Sequence, residues 1–208
     1  MNDKDIRINW YYFCSLASQL QKTTQFVDHV TDQDGRIING ETFSNEFAKI
    51  LLLACSEFEV IAKSLCKESG IILRWNANIV SITKEILKLY PNINQTEIST
   101  PYQTYKPLEK WHIVLAQTKK GNLSDKVAGI DWWDFHNNIK HNRSDYFKEA
   151  TLRSCIDSMS SLMVLELYLC RKVLKNLDLI SKISCEYFSF KYGLFYLAGS
   201  YGDDLPDF

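Results

Sequence analysis

Two apolar stripes constrain this chain more than any other feature. Between about Thr42 and Glu68, Phe43, Phe47, Ile50, Ala54, Phe58, Ile61 and Leu65 recur at spacings of three and four. Between Lys148 and Asn176, Leu152, Cys155, Ile156, Met159, Leu162, Met163, Leu167 and Cys170 do the same. That spacing puts each set on one face of a long helix. Such a face is stable only when buried against another element. A chain of 208 residues is long enough to bury both in one core without a metal or disulfide staple.

Shorter segments supply the partners. Ile6, Trp10, Phe13, Ala17 and Leu20 mark a helix over residues 4 to about 22. Thr23–Val27 leans towards strand, and Asp32–Gly40, with its Asp-Gly and Asn-Gly pairs, predicts a turn or hairpin tip. Thr42 or Ser44 can cap the first long helix, Glu46 suits its dipole, and Gly70 ends it. Ile79, Ile82, Ile86 and Leu89 predict a helix over 76–90, closed by Pro91. Residues 91–121, with three prolines, read as an irregular excursion holding two short strands, and Lys119-Lys120 as a solvated pair. Ser144 or Asp145 is expected to cap the last long helix. The tail from Leu177 is aromatic: Tyr187, Phe188, Phe190, Tyr192, Phe195, Tyr196 and Tyr201 suit a short hairpin or an extended cover, with a loose end from Gly202.

Composition excludes several functions. Twenty-four basic residues against 25 acidic ones give no global basic field, although a local patch remains open. No apolar run approaches the length of a membrane span, and the polar start of the chain predicts no signal peptide. The six cysteines form no CxxC and no zinc-like set with the four histidines, so no metal and no cofactor is expected. Their even number allows disulfides. Their places in apolar helical runs fit reduced core thiols of a cytoplasmic protein better.

Chemistry concentrates in Asp131–Arg143, two tryptophans, two histidines, three asparagines, a lysine and an arginine within thirteen residues. At about 100° per residue a helix over 130–142 divides them into three arcs. Trp132, Phe135 and Ile139 face the core. Asp134, Asn137 and His141 lie roughly opposite, where an acidic partner can orient an imidazole for acid–base work. His136, Lys140 and Arg143 form a basic edge beside Trp133, suited to a phosphate and a stacked base of single-stranded RNA. A solvated polar surface or capping network uses the same residues. His136 and His141 splay by roughly 140° and do not suit one metal ion. Glu57, on or beside the first long stripe, either reaches solvent or pairs with a basic group of a neighbouring helix.

Asn137–Arg143, preceded by Trp132-Trp133 and followed by Phe147–Leu152, resembles the motif-bearing segment of the HEPN (higher eukaryotes and prokaryotes nucleotide-binding) superfamily. Leu53–Lys63 is similar to that superfamily's first long helix. The resemblance covers about residues 42–175. It implies an all-α HEPN-like bundle of about five helices, with a short irregular or β excursion and an aromatic tail, as a single domain over 1–208 with an N-terminal helix and turn over 1–41. It also implies a metal-independent endoribonuclease of a toxin–antitoxin or anti-phage system, acting as a homodimer with an antitoxin or other defence partner. His141 would be acid or base, Asn137 would position the phosphate or the imidazole, and Arg143 with Lys140 would stabilise the phosphorane. His136 and Trp133 would hold substrate, and Asp134 and Glu57 would orient the cluster. The family's motif arginine falls on His136. Other members are non-catalytic helical interaction modules, which is the alternative reading.

Overall fold

The computed structural model describes residues 1–117, 122–179, 185, 187–190 and 205–208. Its helices are α1 (Asp3–Lys22), α2 (Asn45–Glu68), α3 (Ile79–Leu89), α4 (Asp131–His141), α5 (Arg143–Tyr146) and α6 (Leu152–Leu174). Its strands are β1 (Ile98–Ser99), β2 (Thr104–Tyr105), β3 (His112–Gln117), β4 (Leu123–Ala128) and β5 (Ser189–Phe190). Lys119-Lys120, Tyr192, Phe195, Tyr196, Tyr201 and the Gly202–Asp204 end lie outside the described residues.

The two apolar stripes meet. α2 and α6 share the most extensive helix–helix interface, and α1 packs on both. Phe47, Ile50, Ala54, Phe58, Ile61 and Leu65 of α2 are each at most 1% exposed. Phe43 precedes the helix and stays half exposed. One apolar cluster runs from Ile6 to Leu205, so Trp10 and Phe13 of α1 belong to the same core as α2 and α6.

Local chemistry sets the ends. Ser44 caps α2 by accepting from the Phe47 amide, and Gly70, at φ 83°, stops it. Thr42 is used elsewhere. Its carbonyl takes the Leu152 amide at 2.9 Å, and the Gly40 carbonyl takes the Arg153 amide at 3.0 Å. These acceptors satisfy donors that the first turn of α6 leaves open. The α6 cap is Thr151, in a box with Ser154, not Ser144 or Asp145. Those two lie on the separate turn α5, so α6 begins four residues later than periodicity predicts. Thr23–Gln25 is a 3₁₀ turn and not a strand, because the Thr23 and Thr24 hydroxyls donate to the Leu20 and Gln21 carbonyls at 2.6 and 2.7 Å.

The all-α expectation is wrong. Two small antiparallel sheets accompany the helices, one in the order β2–β1–β5 and one formed by β3 and β4. The hairpin pairs His112–Gln117 with Leu123–Ala128 in continuous register. Its inner face sets Val127, with half-buried Ile113 beside it, against the core, while Leu115 and Leu123 stand 70% exposed. That mixed burial hides the alternation a strand normally shows. α3 packs on this hairpin, and Lys84 pairs with Asp125 across the contact. Beyond it Gly129, at φ 81°, turns the chain into α4 directly over the Lys110 carbonyl, where a Cβ has no room. Among the described residues no helix is long and apolar enough to cross a membrane.

Candidate functional site

α4 is anchored by aromatic packing. The Phe58 ring of α2 meets Trp132 at 5.0 Å, Trp111 at 6.0 Å and Trp133 at 6.3 Å between centroids. Trp132, Trp133, His136 and Ile139 are all buried, so the inward band of α4 is wider than the Trp132–Ile139 arc alone. Trp133, 8% exposed and packed on Phe58, is a core ring and not a displayed stacking platform. His136 is 6% exposed, lies against Trp133 at 5.2 Å, and its Nδ1 has no hydrogen-bond partner among the described residues. Burial lowers its pKa to about 4, helped by Lys140 and His141 and opposed by Glu59. It is a neutral, packed imidazole at pH 7, and no part of a basic edge.

The Asp134–Asn137–His141 arc does not close on itself. Asp134 pairs with Lys126 of β4 at 3.0 Å, both side chains about half exposed, a contact worth about 0–1 kcal/mol. Asn137 is half-buried and borders, with Asp134 and Trp133, a 280 Å³ cleft between α3, the hairpin and α4. His141 is exposed at the last residue of α4. Glu57 is not joined to this cluster either. It lies half-buried, its carboxyl raised by burial, and its charge is felt by Tyr12 of α1 and Glu166 of α6. The carboxylate of α2 that faces α4 is Glu59.

What the fold does bring together is the elbow between α4 and α5. The side chains of Lys140, His141 and Arg143 are exposed there and make no hydrogen bond or ion pair among the described residues. Their backbone is held by neighbours. Asn138 Nδ2 donates to Glu149 at 3.0 Å, Asn142 Nδ2 donates to Asp145 at 2.6 Å, and the Ser144 hydroxyl donates to Asn142 Oδ1 at 2.9 Å. The amides and carboxylates are consumed in fixing the elbow, and the three cationic or titratable groups are left to solvent. At the carbonyl end of α4, Lys140 and His141 also complement the helix dipole.

A second feature is not marked by any motif in the sequence. At the other end of α4, Trp132 and Phe135 wall a cleft of about 480 Å³ that also holds Tyr105, Arg153 and Asp157. Burial pushes the Asp157 carboxyl up to about 6, against the pull of Arg153, and the Tyr105 hydroxyl stands 3.3 Å from its Oδ1 and 2.8 Å from Ser160 Oγ. Its only sequence signal is one carboxylate in the otherwise uncharged run Ser154–Leu165. Among the described residues no three His, Cys, Asp or Glu side chains are placed to hold a metal ion. The chain matches no family model, no curated protein and no solved structure.

Proposed function

We propose that the α4–α5 elbow binds single-stranded RNA and that two copies of the chain together form a metal-independent endoribonuclease. The observation that carries this reading is the exposed Lys140, His141 and Arg143 on a backbone fixed by Asn138–Glu149 and Asn142–Asp145. Two cations beside an imidazole, carried on a held backbone, suit a phosphodiester. His141 takes the proton of the ribose 2′-hydroxyl as that oxygen attacks phosphorus, or returns one to the departing 5′-oxygen. Arg143 and Lys140 offset the charge of the phosphorane. Asn137, one turn before His141, would steady the phosphate or the imidazole. The products are a 2′,3′-cyclic phosphate and a 5′-hydroxyl.

Among the described residues no carboxylate is hydrogen-bonded to His141, and Asp134 of its own arc is engaged with Lys126. This is why the proposal includes a homodimer. The setting carried with it is a cytoplasmic toxin–antitoxin or anti-phage system with an antitoxin-like or other defence partner. One specific observation favours a second reading, a non-catalytic helical interaction module: the position of the family's arginine holds His136, which is buried and neutral.

The test is cleavage of labelled single-stranded RNA in EDTA by the wild type and by His141→Ala. Loss of an acid–base group predicts a fall of about 100-fold or more. Equal rates would sink the nuclease reading, and dimerisation without cleavage by either protein would leave the interaction module.

A further inference from the structure

The cleft at the start of α4 takes no part in the elbow's chemistry. Its volume of about 480 Å³ lies in the range of pockets that hold one small molecule. It contains an unspent acceptor. Asp157 lines it, and among the described residues its carboxyl has one hydrogen-bond partner, the Tyr105 hydroxyl at 3.3 Å from Oδ1. Oδ2 accepts no hydrogen bond among them. Arg153, one turn earlier on α6, donates through Nε to Glu41 at 3.3 Å and not to Asp157. A carboxylate withdrawn from bulk water takes several donors, so this one is left short. The rest of the lining is of two kinds. Trp132 and Phe135, three residues apart on α4, join Tyr105 in giving flat apolar surface. Lys110 and Lys148 are exposed, and neither side chain makes an ion pair or hydrogen bond among the described residues. Glu109 and Asp131 line the same cleft, so it suits a single anionic group and not a polyphosphate.

We propose that this cleft binds one guanine nucleotide unit, the base against the aromatic surface with its N1–H and N2–H₂ donated to Asp157, and the phosphate at Lys110 and Lys148. Guanine is the base whose pairing edge sets two donors side by side. Adenine and cytosine set an amino group beside a ring-nitrogen acceptor, and uracil sets its N3–H between two carbonyl oxygens. Each of those edges turns a lone pair towards the carboxylate. Stacking on aromatic side chains adds affinity without choosing among bases, so the choice falls to Asp157. The unit is either a free nucleoside monophosphate or one residue of an RNA strand, and the second source rests on the RNA reading of the elbow. Glu149 links the two places: it lines the cleft and accepts from Asn138 Nδ2 at 3.0 Å. Asp131 and His141, at the two ends of α4, are about 15 Å apart along the helix, a span that a few nucleotides of single strand cover.

The experiment is isothermal titration calorimetry of the full chain at neutral pH with the 5′-monophosphates of guanosine, adenosine, cytidine and uridine. The guanine nucleotide is expected to bind roughly tenfold or more tightly than the other three. Asp157→Asn keeps the shape of the side chain, and is expected to weaken that binding by about 10- to 100-fold at an unchanged melting midpoint. Guanosine is expected to bind more weakly than its monophosphate, and Lys110→Ala with Lys148→Ala to remove that difference. A labelled uridine-rich RNA carrying one guanine separates the sources: its displacement by the guanine mononucleotide marks a strand residue, and its retention marks a free nucleotide. Binding is read without cleavage, so the outcome stands apart from the nuclease test. No binding of the guanine nucleotide, equal affinity for all four, or undiminished binding by Asp157→Asn overturns the proposal.

Discussion

Acidification singles out His136. Its imidazole is 6% exposed against Trp133 and titrates near 4 in the folded chain, against 6.5 in an open one. For a base held below its ordinary pKa, the stabilising contribution is present above pH 6.5 and is lost as pH falls towards 4. The full difference, about 2.5 pH units at 1.36 kcal/mol each, is about 3.4 kcal/mol. At pH 5 the unfolded imidazole is almost fully charged and the folded one about a tenth charged, so about 2 kcal/mol is already gone. The perturbation is His136→Phe, which keeps a ring against Trp133 and removes the titration. Urea denaturation followed by circular dichroism at pH 7 and pH 5 gives four free energies. His29, also lowered to about 4 by burial, and Asp157, raised to about 6, titrate in both proteins and cancel from the difference. The wild type is expected to lose about 2 kcal/mol more than His136→Phe between the two pH values. Parallel losses would refute a buried, neutral His136, and with it the exclusion of this residue from the proposed RNA-binding elbow.

Three further outcomes follow from named contacts. Gly129→Ala places a Cβ against the Lys110 carbonyl at positive φ, and should cost about 2 kcal/mol or more in the same denaturation assay. Glu166 is 1% exposed and its Oε1 is unpartnered among the described residues; burial first, then Glu57, raises its pKa well above 4.5. Its stabilising contribution is full below about pH 4.5 and fades as pH rises towards its folded pKa, so Glu166→Gln should gain on the wild type by up to about 1.4 kcal/mol per pH unit above that point. Lys140→Ala with Arg143→Ala should weaken RNA binding measured by fluorescence anisotropy and flatten its salt dependence by about two counterions, while Lys49→Ala, on exposed α2 surface, should leave both unchanged.

The helices were readable because each buries one face of a regular stripe: Phe47 to Leu65 and Leu152 to Cys170 are buried as their spacing demands. The β3–β4 hairpin was not, since Leu115 and Leu123 sit on its inner face but beyond the core, so apolar residues no longer report burial. On α4, Trp132 and Ile139 face inward as their arc requires, but the buried band is wider than that arc and takes in Trp133 and His136. Trp133 is too large to leave beside Phe58 without burial, and His136, three residues on, is drawn in with it. Which acid met which base was not legible at all. Asp134 finds Lys126 because the hairpin docks beside α4, and His136 sees Glu59 instead of Glu57 because α2 presents that edge. Such pairs depend on docking between distant segments, which periodicity within one helix does not encode.

The central claim is that His141, with Lys140 and Arg143, turns RNA over through its own 2′-hydroxyl. The most direct measurement is mass spectrometry of the ends produced from one RNA oligonucleotide in EDTA, with wild type and with His141→Ala. The account predicts 2′,3′-cyclic phosphate and 5′-hydroxyl ends from the wild type, absent from a matched oligonucleotide carrying 2′-deoxyribose at the cut and from the His141→Ala reaction. Identical ends at identical rates from both proteins, or cleavage that persists at the 2′-deoxyribose position, would contradict it.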